Sequence, residues 1–334
     1  MRTLKTKALS FVRRIKASFT GFMSSRIPQS HILLGRMACW HTRQMVAIHS
    51  LLQVEFKVFS QWGEDGIIDW IIERADIPPH LHTFIEFGVE DYRESNTRFL
   101  LQNRNWRGLI MDGSSAADAF LKSSGLAWQY DITAITTWIT MSNINDLFTE
   151  AGFSGEIGLL SIDIDGNDYW VWESINAIQP IICICEYNAV FGDIWPLSIP
   201  YQEQFARTLP EYSNLYFGAS ISALRSLGAR KGYRFLGTTS AGNDLFFIRE
   251  DYASRFDAAL QTVAIRPSKF RESRNLDRTL SYAGGLERLR LIADLPLVNT
   301  ETGEMQKLKD LEPVYSEEWL GRITSSSSIQ KGIR

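Results

Sequence analysis

Short apolar runs alternate with amphipathic stretches along residues 83–251. The runs at 83–88, 108–113, 127–132, 158–166 and 181–188 have the length and composition of buried strands, and helical patterns at about 95–103, 115–124, 143–151 and 168–177 separate them. Alternation at this spacing predicts βαβ units and a parallel sheet. A helix at 219–233 then leads into strands at 234–239 and 244–251, which the turn SAGN joins as a hairpin.

The predicted fold is therefore α/β, a doubly wound and mostly parallel sheet of seven strands. That strand count with one antiparallel edge fits the methyltransferase variant of the Rossmann-like fold better than a dehydrogenase. The sequence predicts an N-terminal helical region over residues 30–80, a main domain over residues 81–251, and a C-terminal helical extension over residues 252–320. The serine-rich residues 321–334 predict a disordered tail.

The N-terminal residues 1–29 have a distinct charge pattern. No acid precedes Glu55, whereas nine arginines and lysines do, and the apolar residues between 4 and 23 share one sector of a helical wheel. Three interpretations remain open: a helix on an anionic membrane surface, an organellar transit peptide, or a helix docked on a partner. The preferred prediction is peripheral contact of residues 1–26 with the inner face of a membrane, in a cytoplasmic protein.

The rest of the composition excludes several functional classes. No run of 18 or more apolar residues exists, so no helix is predicted to span a membrane. Because the net charge is −3 despite the basic N-terminus, the body of the chain is acidic, and no nucleic-acid partner is expected. The three cysteines cannot form a disulfide framework, which favours a reducing compartment.

Each of the five apolar runs carries an acid at or near its end. These acids are Glu86, Asp112, Asp131, Asp163 with Asp165, and Glu186. Ligands of open parallel sheets bind beyond the carboxyl ends of the strands, so the series predicts a site, although single acids there are often helix caps.

The first of these turns indicates the kind of ligand. Gly88 allows close approach of the backbone, but the fingerprint GxGxxG of pyrophosphate binding is absent. An acidic turn prefers a cofactor that carries a cationic amino acid, and S-adenosyl-L-methionine is one. Asp112 is placed to accept the ribose hydroxyls, and Asp131 to accept the adenine amino group.

Two polar clusters follow the fourth and fifth predicted strands. DIDGND at 163–168 crowds three carboxylates into one turn, a charge that a divalent cation such as Mg²⁺ would relieve, with Asp165, Glu186 and Asn188 as predicted ligands. Asp163 and Asp165 also form the DxD of many glycosyltransferases. Tyr187, Asn188 and Trp195 are predicted to bind the substrate, and the alternative is an aromatic cluster that seals the core.

Histidine chemistry is excluded from the predicted sheet, because all five histidines precede residue 83. No Ser-His-Asp or Cys-His hydrolase can be assembled from the main domain. Proton removal would fall to a carboxylate or to a metal that acidifies a hydroxyl.

Several segments together resemble a known family. FSQWGEDG, FIEFGVEDYRESNTRFLL, NWRGLIMDGS, LLSIDIDGNDYWVWE, EYN and YFGASISAL, within about 45–250, resemble FkbM-like class I S-adenosylmethionine-dependent methyltransferases, in a bacterial subgroup associated with surface-polysaccharide genes. The resemblance implies the seven-stranded fold and methyl transfer to oxygen. It places around the cofactor Gln61, Glu64, Glu86, Gly88, Asp112 and Asp131, and we expect Asp163 to join them.

A looser similarity is to macrocin-type sugar O-methyltransferases, whose acids after the fourth and fifth strands bind magnesium. Asp165 and Glu186 match those positions, but Glu186-Tyr187-Asn188 replaces the paired aspartates of that family, and Glu90 stands where a glycine is typical. The predicted function is O-methylation of a carbohydrate hydroxyl of a surface or lipid-linked glycan, with Asp165 or Glu186 taking the proton directly or through Mg²⁺. A DxD glycosyltransferase and a non-catalytic methyltransferase-like scaffold are the alternatives.

Overall fold

The structure is a computed structural model that describes residues 30–208, 211–260, 263–269 and 271–331. The predicted basic segment 1–29 lies outside the described residues, and so does its predicted membrane contact. Within the described ranges, no helix is both long enough and apolar enough to cross a membrane.

The described residues form ten strands, and seven of these form the main sheet. In chain order they are β1 (Thr83–Phe87), β2 (Arg107–Asp112), β3 (Ile132–Thr136), β4 (Gly155–Ile162), β5 (Ile178–Glu186), β6 (Leu197–Ser198), β7 (Tyr233–Thr238), β8 (Asp244–Arg249), β9 (Pro296–Asn299) and β10 (Met305–Lys307). The main sheet has the order β3-β2-β1-β4-β5-β8-β7. Strand β8 runs antiparallel to both of its neighbours, and the other six strands of this sheet share one direction. This is the predicted doubly wound, seven-stranded Rossmann-like sheet of the class I methyltransferase type.

Helices connect these strands and cover both faces of the sheet. They are α1 (30–44), α2 (Glu64–Ala75), α3 (Arg98–Arg104), α4 (Ala116–Ser124), α5 (Leu126–Gln129), α6 (Ile144–Glu150), α7 (Asp168–Ser174), α8 (Ile221–Arg230), α9 (Glu250–Ala253), α10 (Leu286–Ile292) and α11 (Glu317–Lys331). The predicted N-terminal helical region is thus present as α1 and α2 within the described residues.

Strand β5 shows how the sheet separates two hydrophobic cores. Successive side chains of a strand point to opposite faces. Cys183 and Cys185 accordingly join one core, and Ile182 and Ile184 join the other. Every one of these four side chains is buried, which explains why a central parallel strand reads as a continuous apolar run.

The C-terminal region is less helical than its charged composition suggests. Between α9 and α10 the described residues contain only the short 3-10 helix Ser254–Phe256. Backbone pairing with distant loops holds the stretch that follows in place: Lys269 N donates to Ala241 O at 2.7 Å, and Arg274 N donates to Ser213 O at 3.0 Å. Strands β9 and β10 then form a small antiparallel sheet with β6.

The serine-rich C-terminal segment lies largely in a helix. α11 extends to Lys331 and so includes residues 321–331, for which a disordered tail is predicted, and 332–334 lie outside the described residues. Two features near its start favour the helix. The Ser316 hydroxyl accepts a hydrogen bond from Trp319 N at 3.2 Å, and Glu317 and Glu318 lie in the first turn, where negative charge is stabilised by the helix dipole.

Candidate active site

A cavity of about 390 Å³ opens at the carboxyl edge of the sheet, beyond β1, β2, β3 and β4. The strand order reverses between β1 and β4, which is where doubly wound sheets bind ligands. Four acids line this cavity: Glu90, Asp112, Asp163 and Asp165. Among its described lining residues the only cation is Arg207. We call it the acidic cavity, and its volume suits a small molecule.

Gly88 brings the tips of β1 and β4 into contact at this cavity. Its φ of 78° is a left-handed conformation, and a Cβ atom at this position would lie 1.2 Å from the carbonyl oxygen of Asp163. Both the backbone conformation and the lack of space therefore require glycine. As predicted from sequence, Gly88 lines the site.

Asp112, which ends β2, is held rigidly at the cavity. Its Oδ1 accepts a hydrogen bond from Ser114 N at 2.7 Å, and its Oδ2 accepts one from Glu90 N at 2.9 Å. The side chain is half-buried. Each carboxylate oxygen has a second lone pair, so Asp112 can accept further hydrogen bonds from a ligand in the cavity.

The turn after β4 is built by Asp168 rather than by a bound ion. Its two carboxylate oxygens accept hydrogen bonds from Ile164 N at 2.8 Å and Gly166 N at 2.9 Å. Burial raises the pKa of Asp168 to about 6. Asp165, at φ 54°, then projects from the turn with about half of its side chain exposed. The crowded DIDGND sequence thus contains one structural acid and two that face the cavity.

Asp163 and Glu186 form a close pair of carboxyl groups across the tips of β4 and β5. One oxygen from each, together with one from Asp165, lies within 4.8 Å of the others. Burial and the neighbouring carboxylates raise the pKa of Asp163 and that of Glu186 well above their usual range. The two groups favour sharing a proton, because two ionised carboxylates at this separation repel each other.

Arg207 supplies a positive charge beside this cluster. Its Nη1 lies 2.5 Å from Asp165 Oδ1, and its Nε donates to Asn214 O at 2.8 Å. The guanidinium carbon is 3.9 Å from the centre of the Phe217 ring. Arg207 is thus fixed by an ion pair, a hydrogen bond and a cation–π contact, and it partly neutralises the acids.

Glu86 has a different place from the one predicted. Its Oε1 accepts from Asn96 N at 2.8 Å, and its Oε2 accepts from Ser95 Oγ at 2.6 Å, from Thr97 N at 3.1 Å and from Thr97 Oγ1. The side chain is buried and does not line the acidic cavity. Glu86 therefore fixes the loop that follows β1, and a contact with the cofactor would be indirect.

Asp131 requires a correction, because it lies at the opposite edge of the sheet. The predicted strand 127–131 is instead α5, and β3 begins at Ile132. Asp131 consequently precedes β3, with its side chain 75% exposed and 3.9 Å from Arg107 Nε. The run AWQYDI was misread because its apolar residues suit one helical turn as well as a strand.

Gln61 and Glu64 also lie away from the cavity lining. Gln61 is exposed, and its Oε1 accepts from the indole nitrogen of Trp62 at 3.0 Å. Glu64 is fully buried, where its carboxylate accepts hydrogen bonds from Gly63 N at 2.9 Å and from Asn243 Nδ2 at 3.1 Å. Glu64 thus stabilises the start of α2, and neither residue lines the acidic cavity.

The polar side-chain groups of the three residues predicted to bind the substrate form hydrogen bonds within the protein. The Tyr187 hydroxyl donates to Arg266 O, and the Trp195 indole donates to Pro313 O at 2.8 Å. Asn188 is 1% exposed, and its amide bonds Leu215 O, Phe217 O and Val190 N. Its predicted role as a metal ligand is therefore also corrected, because these contacts occupy its amide. Carboxylate oxygens of Asp163, Asp165 and Glu186 instead lie within 4.8 Å of one another.

Two segments that line the cavity were not predicted. Trp138 follows β3, and its indole nitrogen donates to Glu203 O at 2.7 Å, which joins the β3 tip to the segment 203–208. Phe205 of that segment packs over Gly166, where a Cβ would meet the ring at 2.2 Å. Correct placement of β3 would have revealed Trp138, but no local pattern marks 203–208.

Comparison with known proteins identifies no family from sequence: no family model matches the chain, and no curated protein sequence does. Among solved structures, an O-methyltransferase family protein from Burkholderia thailandensis aligns at 12% identity and TM-score 0.34, over 56% of this chain and 58% of that one. A S-adenosylmethionine-dependent methyltransferase from Clostridium acetobutylicum aligns at 9% identity and TM-score 0.34, over 55% and 90%. Similarity this low says nothing about activity.

Proposed function

We propose that this protein is an S-adenosylmethionine-dependent O-methyltransferase. The acidic cavity is the single observation that carries the proposal, because it lies where the strand order reverses and four carboxylates line it against one described cation. A pyrophosphate would be repelled there, whereas a ligand with ammonium and sulfonium charges would be attracted.

Two positions support recognition of the nucleoside. Asp112 presents free lone pairs to the cavity, which suits the two hydroxyls of a ribose. Trp138, with 46% of its surface exposed, offers an aromatic face at the same cavity. Gly88 allows the main chain of the β1 tip to approach the ligand without a side chain between them.

The chemistry requires few protein groups. S-adenosylmethionine supplies a methyl group on sulfur, to which the acceptor oxygen bonds as the carbon–sulfur bond breaks and its electron pair stays on the sulfur of S-adenosylhomocysteine. The acceptor proton passes to a carboxylate of the site. We assign this role to the pair of Asp163 with Glu186, because its raised pKa values make it a stronger base than Asp165, which Arg207 neutralises.

A magnesium-dependent version of this reaction rests on the same acids. Asp163, Asp165 and Glu186 offer the hard oxygen donors that Mg²⁺ prefers, at a separation that fits one ion. Bound there, Mg²⁺ would acidify the acceptor hydroxyl. The ion pair of Asp165 with Arg207 would have to open first, so we favour proton transfer to the carboxylates and expect turnover to persist after chelation.

We further infer that the acceptor is a carbohydrate hydroxyl of a surface or lipid-linked glycan. This part rests on the family resemblance of the sequence and on the basic residues 1–29, which would hold the protein at the cytoplasmic face of an anionic membrane. Mass spectrometry of surface glycans from a deletion strain tests it, and we expect loss of a single methyl mass. An unchanged glycan profile would remove this acceptor class.

Calorimetry with S-adenosylhomocysteine tests the cofactor directly. We expect saturable binding by the full chain, a loss of about 10-fold to 100-fold in affinity for Asp112→Asn, since charge-assisted hydrogen bonds contribute about 1.5–3 kcal/mol, and no loss for Asp131→Asn. The second variant is a matched control, because Asp131 carries the same charge at the opposite edge of the sheet.

The result also separates the two alternatives. A DxD glycosyltransferase would bind a sugar nucleotide and no S-adenosylhomocysteine, although the acidic cavity disfavours a diphosphate. A non-catalytic scaffold would bind neither ligand. Absence of any heat with S-adenosylhomocysteine would therefore overturn the proposal.

A further inference from the structure

A second and larger cavity, of about 700 Å³, lies on the other side of the β5 tip. Its wall includes Ala189 and Val190, which follow β5 closely, and Leu52, and the other lining residues come from segments between 240 and 323. The Tyr187 hydroxyl, one residue beyond Glu186, donates to the carbonyl oxygen of Arg266 in that wall. The cavity is thus connected to the β5 tip, which carries Glu186 of the acid pair.

Basic residues dominate the charge of this wall, and we call the space the basic cavity. Five cations line it: Arg266, Lys269, Arg271, Arg288 and Arg322. The described acids in the wall are Glu317 and Glu318, and Glu318 lies 2.6 Å from Arg322 in an ion pair. The basic cavity therefore has a net positive charge, opposite in sign to the acidic cavity.

Arg288 is the informative residue, because its buried charge has no counter-ion among the described residues. It is 9% exposed, and in the part of the chain that the structure describes its buried Nε has no hydrogen-bond partner. Burial lowers the pKa of Arg288 to about 10; Tyr315 acts in the opposite direction, and the neighbouring cation Arg207 lowers this pKa further. An arginine in this state is costly to fold unless something binds it.

We propose that the basic cavity binds an anionic group, phosphate or carboxylate, on the acceptor substrate, with Arg288 as its central contact. This inference deepens the proposed function and rests on it for the identity of the ligand as acceptor. Guanidinium groups recognise both oxyanions with paired hydrogen bonds. The opposite charges of the two cavities would also direct each reactant to its own site, since the acidic cavity repels an anionic acceptor and the basic cavity repels a cationic cofactor.

Binding of an anionic group can be tested with three related sugars, one with a phosphate, one with a carboxylate and one without a charge. Calorimetry of the full chain at low ionic strength with glucose 1-phosphate, glucuronate and glucose measures whether charge decides affinity. We expect at least one charged sugar to bind at least 10-fold more tightly than glucose, and the preferred one identifies the source of the anion. Equal affinity for glucose, or binding of none of the three, would overturn the proposal.

Arg288→Met keeps the apolar volume of the side chain and removes its charge. We expect it to lose at least 10-fold in affinity for the preferred charged sugar, yet to melt at or above the wild-type temperature in the absence of ligand, because it removes an unpaired buried charge. Arg225→Met is the matched control: Arg225 is exposed on α8 and lines neither cavity, so binding should be unchanged.

Two further readouts keep the test decisive. If Arg288→Met fails to fold, the double variant Lys269→Gln with Arg271→Gln alters two exposed residues of the same wall and should weaken binding of the charged sugar without unfolding. Unchanged binding in these variants would contradict the proposal. Binding of S-adenosylhomocysteine is measured separately, so a failed cofactor site and a failed anion site give different results.

Discussion

At the scale of single residues, Gly88 is the site position at which we expect a substitution to be most disruptive. A Cβ atom there would overlap the Asp163 carbonyl oxygen, 1.2 Å away, and the left-handed φ of 78° would be strained as well. We expect Gly88→Ala to lower the free energy of unfolding by more than about 3 kcal/mol, since backbone must move to relieve the overlap, and to abolish binding of S-adenosylhomocysteine. Denaturant unfolding and calorimetry measure the two effects.

Gly155, at the start of β4, separates backbone strain from steric overlap. It has a similar φ of 66°, but a Cβ atom there would meet nothing within 4 Å. Gly155→Ala should therefore cost only the left-handed strain, about 1–2 kcal/mol, and leave the ligand affinity unchanged. Equal losses of stability in the two alanine variants would show that contact between the β1 and β4 tips is unimportant.

The residue scale also shows how far sequence alone could go. Gly88, Asp112, Asp163 and Asp165 were predicted at the site and line one cavity, because acids that directly follow buried strands must emerge at the same edge. Asp131 failed, since that inference depends on the end of each strand and its strand begins one residue later. A local error of a few residues thus moved a side chain across the whole sheet.

At the scale of elements, the loop between β1 and α3 depends on one buried carboxylate. Four donors from Ser95, Asn96 and Thr97 converge on Glu86. Glu86→Ala should leave these donors without an acceptor, so we expect a loss of about 3–5 kcal/mol in stability. The loop also carries Glu90 into the acidic cavity, and the affinity for S-adenosylhomocysteine should fall with it.

Glu94→Ala provides the comparison within the same loop. The side chain of Glu94 is 54% exposed, and its ion pair in the described part of the chain is with Lys57, at 3.2 Å, so its removal should cost less than about 1 kcal/mol. Trypsin cleavage after Arg93 reports loop opening, since the Arg93 side chain is 61% exposed, and should accelerate in the Glu86 variant alone. A stable, protease-resistant Glu86→Ala protein would refute this role.

Element prediction succeeded where periodicity was strong and failed where tertiary contacts decide. α2 lies inside the predicted helical region 30–80, and its buried residues Ile67, Ile68, Ile71 and Ile72 are spaced as one helical face requires. The stretch after α9 is instead fixed by hydrogen bonds to Ser213 and Ala241. The charged residues of this stretch predicted a helix, but no local sequence pattern indicates hydrogen-bond partners that lie so far away in the sequence.

At the scale of the whole molecule, the two cavities come from loops that no sequence pattern brings together. Arg207 of the acidic cavity and Arg288 of the basic cavity belong to segments 81 positions apart, yet Arg207 lies near enough to lower the pKa of Arg288. The sheet edge was predictable from strand alternation. The sign of charge on each side of the β5 tip was not, because it depends on how distant loops fold back over that edge.

The acid pair gives the molecule a defined pH response. Burial and neighbouring carboxylates raise the pKa of Asp163 and of Glu186 in the folded state. Their contribution to stability is therefore present below about pH 4, the range of unfolded carboxyls, and is lost as pH rises through the folded pKa values. A cationic ligand favours the ionised pair, so its binding should release a proton and tighten with increasing pH.

We accordingly expect the affinity for S-adenosylmethionine to rise as the pH increases through the raised pKa values of the pair, by at most tenfold per pH unit for one released proton. S-adenosylhomocysteine lacks the sulfonium charge, so its affinity should rise less. Calorimetry in buffers of different ionisation enthalpy counts the protons. Asp163→Asn should flatten the dependence, whereas Asp118→Asn, on α4 and paired with Lys122, should keep it. A wild-type affinity that is constant with pH would mean that the pair does not face the bound cation.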